Sequence, residues 1–334
     1  MSNPIPQGTR DVLPEEMREL RRIEDTLREL FESRGYGEVS TPAIEFADVL
    51  RAAESRRGPS HAYRFFDPSG ELLALRTDMT VPIARLAADR LADAEPPYRL
   101  HYLGNAYRAV RPQRGQMRES RQAGVELIGA AGPEGTVEVV ELLVAALDAV
   151  GLNRAIVGLG DADLFRQLLD ELGVGDAARD RIIDRLAVRD LVAIESEAGE
   201  LADLGEDERA LIVALSSLRG GAEALERARS LGGAAVERAG GRLAAVHAAL
   251  VERGVGDRVQ LDFGLLRDLG YYTGAILEVY DPALGHIIGG GGRYDELMGR
   301  FGRPMPAAGF ALYLERVHIA QAEEERIARA GGRS

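Results

Sequence analysis

The distribution of strand-like and helix-like segments along the chain is the feature that most restricts its fold. Short or alternating apolar runs bounded by turn residues predict strands over much of residues 38–129 and again from residue 258. Between residues 153 and 255 the composition shifts to Ala, Leu, Arg, Glu and Asp, and glycines separate segments of helix length. Strands that are segregated from helices favour an α+β fold with an antiparallel sheet over an alternating, doubly wound one.

Hydrophobic periodicity predicts the individual elements. A helix is expected from Pro14 to Gly35, because apolar residues recur there at steps of three and four. Further helices are predicted over 80–91, 136–150, 162–172, 177–186, 188–196, 206–218, 222–230, 240–253 and 307–322. Strands are predicted over 38–46, 63–67, 72–76, 98–108, 122–129, 154–159, 259–265 and 271–280. A mobile loop is expected over 51–62, a polar loop over 111–116, and a sharp backbone feature at the glycine run 289–292.

The predicted organisation is one discontinuous domain interrupted by an insertion. Residues 1–152 and 256–322 are expected to form the strand-containing domain, residues 153–255 the helix-rich insertion, and residues 323–334 a frayed tail. No apolar run approaches the ~20 residues that a membrane helix needs. The N-terminal segment lacks the basic-then-apolar pattern of a signal peptide. A cytoplasmic location is therefore expected.

The chain contains neither cysteine nor lysine, and each absence excludes a class of chemistry. Without cysteine there is no disulfide, thiolate nucleophile or cysteine zinc site. All 41 basic residues are arginine, which excludes a P-loop and Schiff-base catalysis. The formal net charge of −13 disfavours binding along a nucleic-acid backbone. No two of the five histidines are three or four residues apart, so no helical metal pair is expected.

Five short segments carry polar residues suited to holding an amino acid. Gln122 and Glu126 are four residues apart on a predicted strand, so they project from the same face. An α-carboxylate binds well to an arginine fork, and an imidazole needs an acceptor with a hydroxyl or second acid nearby. Taken singly, each segment also fits a polar sheet face, a paired surface charge or a turn. The other four segments are 76–80, Arg108, Arg267 with Tyr271 and Tyr272, and 291–295.

Five segments resemble, in the correct order, motifs of histidyl-tRNA synthetases. The first two are similar to motif 1 of class II aminoacyl-tRNA synthetases and to motif 2 in its histidyl form. The other three are similar to the histidine-specific signature, the glycine-rich segment and motif 3. These segments are, in order, 35–45, 107–126, 267–273, 291–295 and 308–316. The resemblance implies a class II synthetase-like antiparallel sheet flanked by helices, with a homodimer formed through motif 1.

Four departures separate this chain from the synthetase pattern, and one is that Arg76-Thr77-Asp78-Met79-Thr80 stands where the synthetases have Arg-Pro-Glu-Gly-Thr. Motif 2 has Val110 where the synthetases typically have a glutamate that helps to bind ATP. In motif 3, Tyr313 replaces a glycine beneath the adenine, and its ring would crowd that space. The sequence ends about 18 residues after Arg316, where a synthetase continues into an anticodon-binding domain. An anticodon domain and tRNA binding are therefore not expected.

This combination resembles the regulatory subunits of ATP phosphoribosyltransferase, which are non-catalytic relatives of the synthetases. The resemblance implies a short-form catalytic subunit as partner in the first step of histidine biosynthesis, assembly as a hetero-octamer, and feedback inhibition by L-histidine. It implies no catalytic residue, no metal and no cofactor. By motif position, the amino group would be held by Asp78, Thr80 and Gln122, the carboxylate by Arg108, and the imidazole by Glu126 and Tyr272, with Arg267, Tyr271 and Tyr294 lining the same space.

Two other functions remain open on the sequence. A stand-alone ligase that adenylates histidine would use Arg108, Arg118 and Arg316 to bind a triphosphate. A pure scaffold with an unused pocket would bind a partner protein but not histidine. Histidine binding without ATP-dependent turnover separates the regulatory function from both alternatives.

Overall fold

A computed structural model describes residues 4–51, 61–110, 117–267 and 270–331. The helices in these ranges are α1 (Pro14–Ser33), α2 (Ala47–Arg51), α3 (Thr80–Arg90), α4 (Glu134–Ala149), α5 (Leu164–Glu171), α6 (Asp176–Ala187), α7 (Leu191–Gly199), α8 (Glu206–Ser217), α9 (Ala222–Leu231), α10 (Ala234–Glu252), α11 (Leu297–Arg300) and α12 (Leu314–Gly331). The strands are β1 (Gly37–Glu38), β2 (Ile44–Phe46), β3 (Arg64–Phe66), β4 (Leu72–Leu75), β5 (Tyr98–Tyr107), β6 (Glu119–Ile128), β7 (Ile156–Asp161), β8 (Arg219–Gly220), β9 (Val259–Asp262), β10 (Ala275–Asp281), β11 (Leu284–Arg293) and β12 (Ala307–Tyr313).

A large sheet organises the fold. Its nine strands run in the order β1-β5-β6-β12-β11-β10-β7-β9-β8, and a separate small sheet has the order β2-β4-β3. Most neighbours in the large sheet are antiparallel, whereas β1 with β5 and β7 with β9 are parallel. The predicted α+β class, with a mostly antiparallel sheet flanked by helices and helix-rich residues inserted between strands, is confirmed.

The first helix shows how sequence determines its packing. It begins at Pro14, whose fixed φ suits the first helical position, and Glu15 and Glu16 complement the positive end of the helix dipole. Leu20, Ile23, Leu27 and Phe31 are all buried on one face. The chain leaves the helix through Gly35, whose φ of +81° favours glycine.

The two faces of the large sheet have different roles, and strand β6 separates them by simple alternation. Val125 and Leu127 pack in the main apolar core with residues of α1, α4 and α12. Gln122, Gly124 and Glu126 project from the opposite face, since side chains alternate along a strand. That second face carries the polar residues singled out from the sequence.

Three predictions made from the sequence are corrected. The glycine run 289–292 lies within strand β11 and makes no sharp turn. Residues 307–313 form strand β12, and the helix that follows continues to Gly331, so residues 323–331 are helical rather than a frayed tail. The reason for the first two errors is the same: glycine and small residues here permit neighbouring strands to approach closely, since a Cβ on Gly291 would lie 2.0 Å from the carbonyl oxygen of Gly309.

The remaining sequence predictions fall into two groups. Strands β7 and β8, which the predicted division places in the insertion, pair with strands of the large sheet. The division into domains stays a prediction. The loops predicted over 51–62 and 111–116 lie for the most part outside the described residues. No helix in the described ranges is both long enough and apolar enough to cross a membrane.

Candidate functional site

The polar residues of the second sheet face surround one cavity. Strands β6 and β12 form its floor, where Gln122 pairs in register with Tyr313 and Glu126 with Gly309. The cavity is small and partly open to solvent, and it is lined by Asp78, Met79, Thr80, Tyr102, Arg108, Gln122, Arg267, Tyr271, Tyr272, Gly290, Gly291, Tyr294, Gly309, Phe310, Ala311 and Tyr313. Eight of the nine residues predicted to bind histidine are in this lining, and the ninth, Glu126, hydrogen bonds to two of them.

Glu126 is the most buried acid beside the cavity, with 1% of its surface exposed. Its carboxyl group accepts a hydrogen bond of 2.7 Å from the Thr80 hydroxyl and another from the Tyr294 hydroxyl. Among the described residues no arginine forms an ion pair with it. Burial raises the pKa of Glu126 to about 8, although the two hydrogen bonds oppose the shift. The carboxyl group therefore keeps its proton at neutral pH.

Glycines make room for the large polar side chains that lie across the sheet. A Cβ on Gly309 would lie 2.0 Å from Oε2 of Glu126, and a Cβ on Gly290 would lie 1.8 Å from Nη1 of Arg267. Neither distance is possible for real atoms without displacing the polar side chain. The glycine run and Gly309 thus hold space for the acid and the arginine of the pocket.

Two arginines bring positive charge to the pocket wall. Nε of Arg108 donates to the carbonyl oxygen of Thr77 at 3.2 Å. Nη1 of Arg267 donates to the carbonyl oxygen of Leu277 at 3.2 Å and lies 4.0 Å from Oε1 of Glu278. With Glu126 protonated, these guanidinium groups favour an anionic group in the cavity.

Asp78 combines a place in the pocket with a role in helix α3. Its Oδ1 accepts a hydrogen bond of 2.9 Å from the backbone N–H of Val81, as helix-capping side chains do. Burial raises the pKa of Asp78, while the Val81 N–H and the Arg108 guanidinium oppose the shift. The cap fixes the position of this carboxyl group at the cavity wall.

Tyr313 lies among three arginines at one end of the cavity. The guanidinium carbon of Arg316 is 4.6 Å from the centre of its ring, which is cation–π geometry. Burial alone would raise the pKa of the Tyr313 hydroxyl, but the charges of Arg108, Arg267 and Arg316 lower it overall. Arg316 also donates from Nη1 to the carbonyl oxygen of Ile287 at 2.5 Å, so it is held against the sheet.

Some residues of the polar segments identified in the sequence stabilise the fold and do not line the cavity. Arg76 is buried and donates to the carbonyl oxygens of Thr41 and Asn105 at 2.6 and 2.7 Å. Arg293 donates to the Thr136 hydroxyl at 3.2 Å, behind the pocket. Asp268 and Leu269, within the segment similar to the histidine-specific signature, lie outside the described residues.

Sequence reasoning missed Tyr102 among the larger side chains of the lining. Tyr102 pairs in register with Gly124, midway between Gln122 and Glu126. A Cβ on Gly124 would lie 2.4 Å from the Tyr102 hydroxyl oxygen. A glycine in the middle of a polar strand face is the signal that could have indicated a large side chain from the adjacent strand.

The chain is similar to two groups of known proteins. Residues 8–317 match the histidyl-tRNA synthetase family. The ATP phosphoribosyltransferase regulatory subunits of Moorella thermoacetica and Symbiobacterium thermophilum are 43% and 40% identical over 329 residues, which is 98% of this chain and 84% and 82% of theirs.

Solved structures agree with these sequence relatives. A crystal structure from Bacillus halodurans, described as an ATP phosphoribosyltransferase regulatory subunit/histidyl-tRNA synthetase, has a TM-score of 0.87 at 32% identity, covering 98% of this chain and 90% of that one. A histidyl-tRNA synthetase from Nostoc shares the fold with a TM-score of 0.78 at 23% identity, covering 99% of this chain and 76% of that one. The chain therefore belongs to the family of ATP phosphoribosyltransferase regulatory subunits, which has the fold of histidyl-tRNA synthetases.

Proposed function

We propose that this chain binds L-histidine in the cavity around Glu126 and transmits feedback inhibition to a short-form ATP phosphoribosyltransferase catalytic subunit. The observation that carries the proposal is that eight of the nine predicted residues line one cavity and that the ninth, Glu126, is a protonated acid hydrogen bonded to two of them. The names of the relatives support the regulatory role. The proposal includes a cytoplasmic homodimer within a hetero-octamer, with no tRNA, membrane, cofactor or metal required for this role.

The chemistry of the cavity suits each part of a histidine molecule. Arg108 and Arg267 supply guanidinium groups for the α-carboxylate, and Asp78 supplies an acceptor for the ammonium group. A carboxyl group with a pKa of about 8 carries a proton at pH 7 and can donate it to an imidazole nitrogen. Tyr272, at the same cavity, offers a hydroxyl for the other nitrogen.

The surroundings of Tyr313 support the loss of adenylation chemistry. By the resemblance, adenine would need the space that this ring takes, and Arg316 packs against the ring instead of facing open solvent. Val110 offers no carboxylate to ATP. We therefore rank a regulatory subunit above a stand-alone histidine-adenylating ligase.

Calorimetric titration of the purified full chain with L-histidine tests the proposal. We expect binding, and we expect Glu126→Ala to weaken it at least about tenfold, because ~1.5 kcal/mol of hydrogen bonding to the imidazole is lost. Glu226→Ala is the matched control, since Glu226 is an exposed glutamate on α9, and its histidine affinity should equal that of the unsubstituted chain. In the complex with a catalytic subunit, Glu126→Ala should shift the inhibition curve by the same factor.

Three results would contradict the proposal. Absence of histidine binding, with intact activation of a catalytic subunit, would indicate a scaffold. Unchanged inhibition by histidine in the Glu126→Ala complex would place the effector elsewhere. Pyrophosphate exchange at an enzyme-like rate with histidine, ATP and magnesium would establish the ligase instead.

A further inference from the structure

A second group of ligand atoms lies away from the pocket, where helix α1 meets the edge of the large sheet. Glu32 is in the last turn of α1, Glu38 is on β1 and His101 is on β5. One potential ligand atom from each lies within 4.8 Å of the other two. We propose that these three residues bind a zinc ion that fastens the end of α1 to the edge of the sheet.

The strongest observation is the state of His101. Its side chain is fully buried, and neither ring nitrogen has a hydrogen-bond partner within the described part of the chain. A buried polar group without a partner destabilises the folded state, so nearly all such groups in folded proteins are satisfied. A metal ion bound to one nitrogen would supply the missing partner.

The backbone fixes the three residues relative to one another. Glu38 and His101 are register partners in the parallel pair β1 and β5. The backbone N–H of Tyr36 donates to the carbonyl oxygen of Phe31 at 3.0 Å, which closes the turn between α1 and β1 and brings Glu32 to the same corner. The Phe31 ring packs 5.7 Å from the His101 ring and covers it on one side.

The ligand chemistry selects zinc over the harder cations. Zinc binds imidazole nitrogen and carboxylate oxygen at roughly 2.0–2.2 Å, whereas calcium and magnesium take oxygen ligands. Tetrahedral bonds of that length put ligand atoms about 3.4 Å apart. Glu32 and Glu38 are exposed, so small rotations of their side chains can close the present spacing of up to 4.8 Å.

One neighbouring charge opposes the binding of a cation. Arg28 donates from Nε to Oε2 of Glu38 at 3.1 Å, and its positive charge disfavours a cation nearby. A carboxylate has two oxygens, so Glu38 can keep this bond through Oε2 and offer Oε1 to the metal.

Titration of the chelator-treated full chain with zinc chloride tests the proposal, with cobalt chloride as a spectroscopic probe. We expect one zinc ion per chain, a higher melting temperature with zinc, and the visible absorption of four-coordinate cobalt. Glu32→Gln and Glu38→Gln replace exposed residues and should fold, and each should weaken zinc binding at least about tenfold, or ~1.4 kcal/mol. His318→Ala is the matched control, because that ring lies 3.4 Å from Glu19 in another histidine–glutamate pair.

The proposal is overturned by any of three outcomes. The first is no stoichiometric zinc binding. The second is zinc affinity that survives both glutamine substitutions or is lost in His318→Ala, which would place the ion elsewhere. The third is binding of calcium or magnesium at this corner in preference to zinc. None of these measurements uses free L-histidine, so their result is separate from the test of the regulatory function.

Discussion

Two groups of buried acids on the large sheet differ in what neutralises them. Glu126, 1% exposed, has hydroxyl donors and a raised pKa. Asp262 and Glu278, 1% and 5% exposed, share the guanidinium group of Arg189 at 2.9 and 2.7 Å. The three acids are buried to a similar degree, so the way in which each is neutralised depends on whether its partner is a hydroxyl group or an arginine. The paired acids hold parts of the chain together, whereas Glu126 lies beside a cavity and accepts hydrogen bonds from two hydroxyl groups of the cavity lining.

The paired group also explains an unusual backbone conformation. Arg189 lies between α6 and α7 with a φ of 56°, a backbone conformation that residues other than glycine rarely adopt. Its guanidinium group reaches Asp262 on β9 and Glu278 on β10, and its carbon lies 5.5 Å from the centre of the Tyr280 ring. The ion pairs compensate for the backbone strain and fix the α6–α7 turn against the sheet.

The largest expected effect is a change in the pH dependence of folding stability in the Glu126→Gln variant. The folded carboxyl group keeps its proton up to a pKa of about 8, whereas the ordinary value in the unfolded chain is 4.5. Between these values the folded state binds more protons, so the free energy of unfolding falls as pH rises, by about 1.4 kcal/mol per pH unit. Gln cannot titrate, so this part of the slope should vanish in the variant. Urea unfolding of both proteins from pH 5 to 9 measures it, and parallel curves would refute the comparison.

The next largest effect is expected from Arg189→Met. This change leaves Glu278 and Asp262 buried without their shared cation, and breaking such a buried pair costs about 3 kcal/mol. Arg219, 3.1 Å from Asp262, still offsets part of the loss. Urea unfolding at pH 7 gives the value.

Arg181→Met is the matched control for this change. Arg181 pairs with Glu197 at 2.6 Å, but about half of the arginine side chain is exposed. Exposed pairs contribute under about 1 kcal/mol. If the two arginine variants lost the same stability, the Arg189 group would not be the buried network that the distances indicate.

The contrast also shows what a sequence reveals of such sites. The pocket residues could be predicted because they lie in recognisable motifs, and because their spacing, such as that of Gln122 and Glu126 on one strand, places their side chains on the same face of the sheet. Most helices and strands could be predicted for a similar reason, since the spacing of apolar residues within a short segment indicates which of the two it forms.

The Arg189 network could not be predicted, because its members come from 189, 262 and 278–280 and meet only through the order of strands. The same limit applies to Gly290, whose role is to leave space for Arg267. Strand β12 was mistaken for helix because a short run of small and apolar residues fits both periods. Local patterns predict elements, while close approach between strands is a property of the assembled sheet.

A smaller effect should follow from Tyr294→Phe. The hydroxyl of Tyr294 donates to Glu126 and lowers its pKa, so removing it should raise that pKa further. We expect the midpoint of the pH dependence to move to higher pH and the stability to fall by about 1 kcal/mol. Tyr98→Phe is the control, because that hydroxyl donates to the Leu91 carbonyl oxygen at 2.8 Å, away from the pocket. A midpoint that moves equally in both variants would contradict the assignment.

The smallest expected effect is an energetic coupling between the pocket around Glu126 and the Arg189 network. Glu278 links them, since its Oε2 binds Arg189 and its Oε1 lies 4.0 Å from Nη1 of Arg267 in the pocket wall. Residues that share a partner show coupling energies of at least about 0.5 kcal/mol, so the double variant Arg189→Met/Arg267→Met should deviate from the sum of the single variants by that amount. Additive losses would mean that the pocket and the α6–α7 turn do not communicate through Glu278. Coupling, by contrast, would give a pocket ligand that displaces Arg267 a physical path to the insertion, because Glu278 cannot change its contact with one arginine without altering its contact with the other.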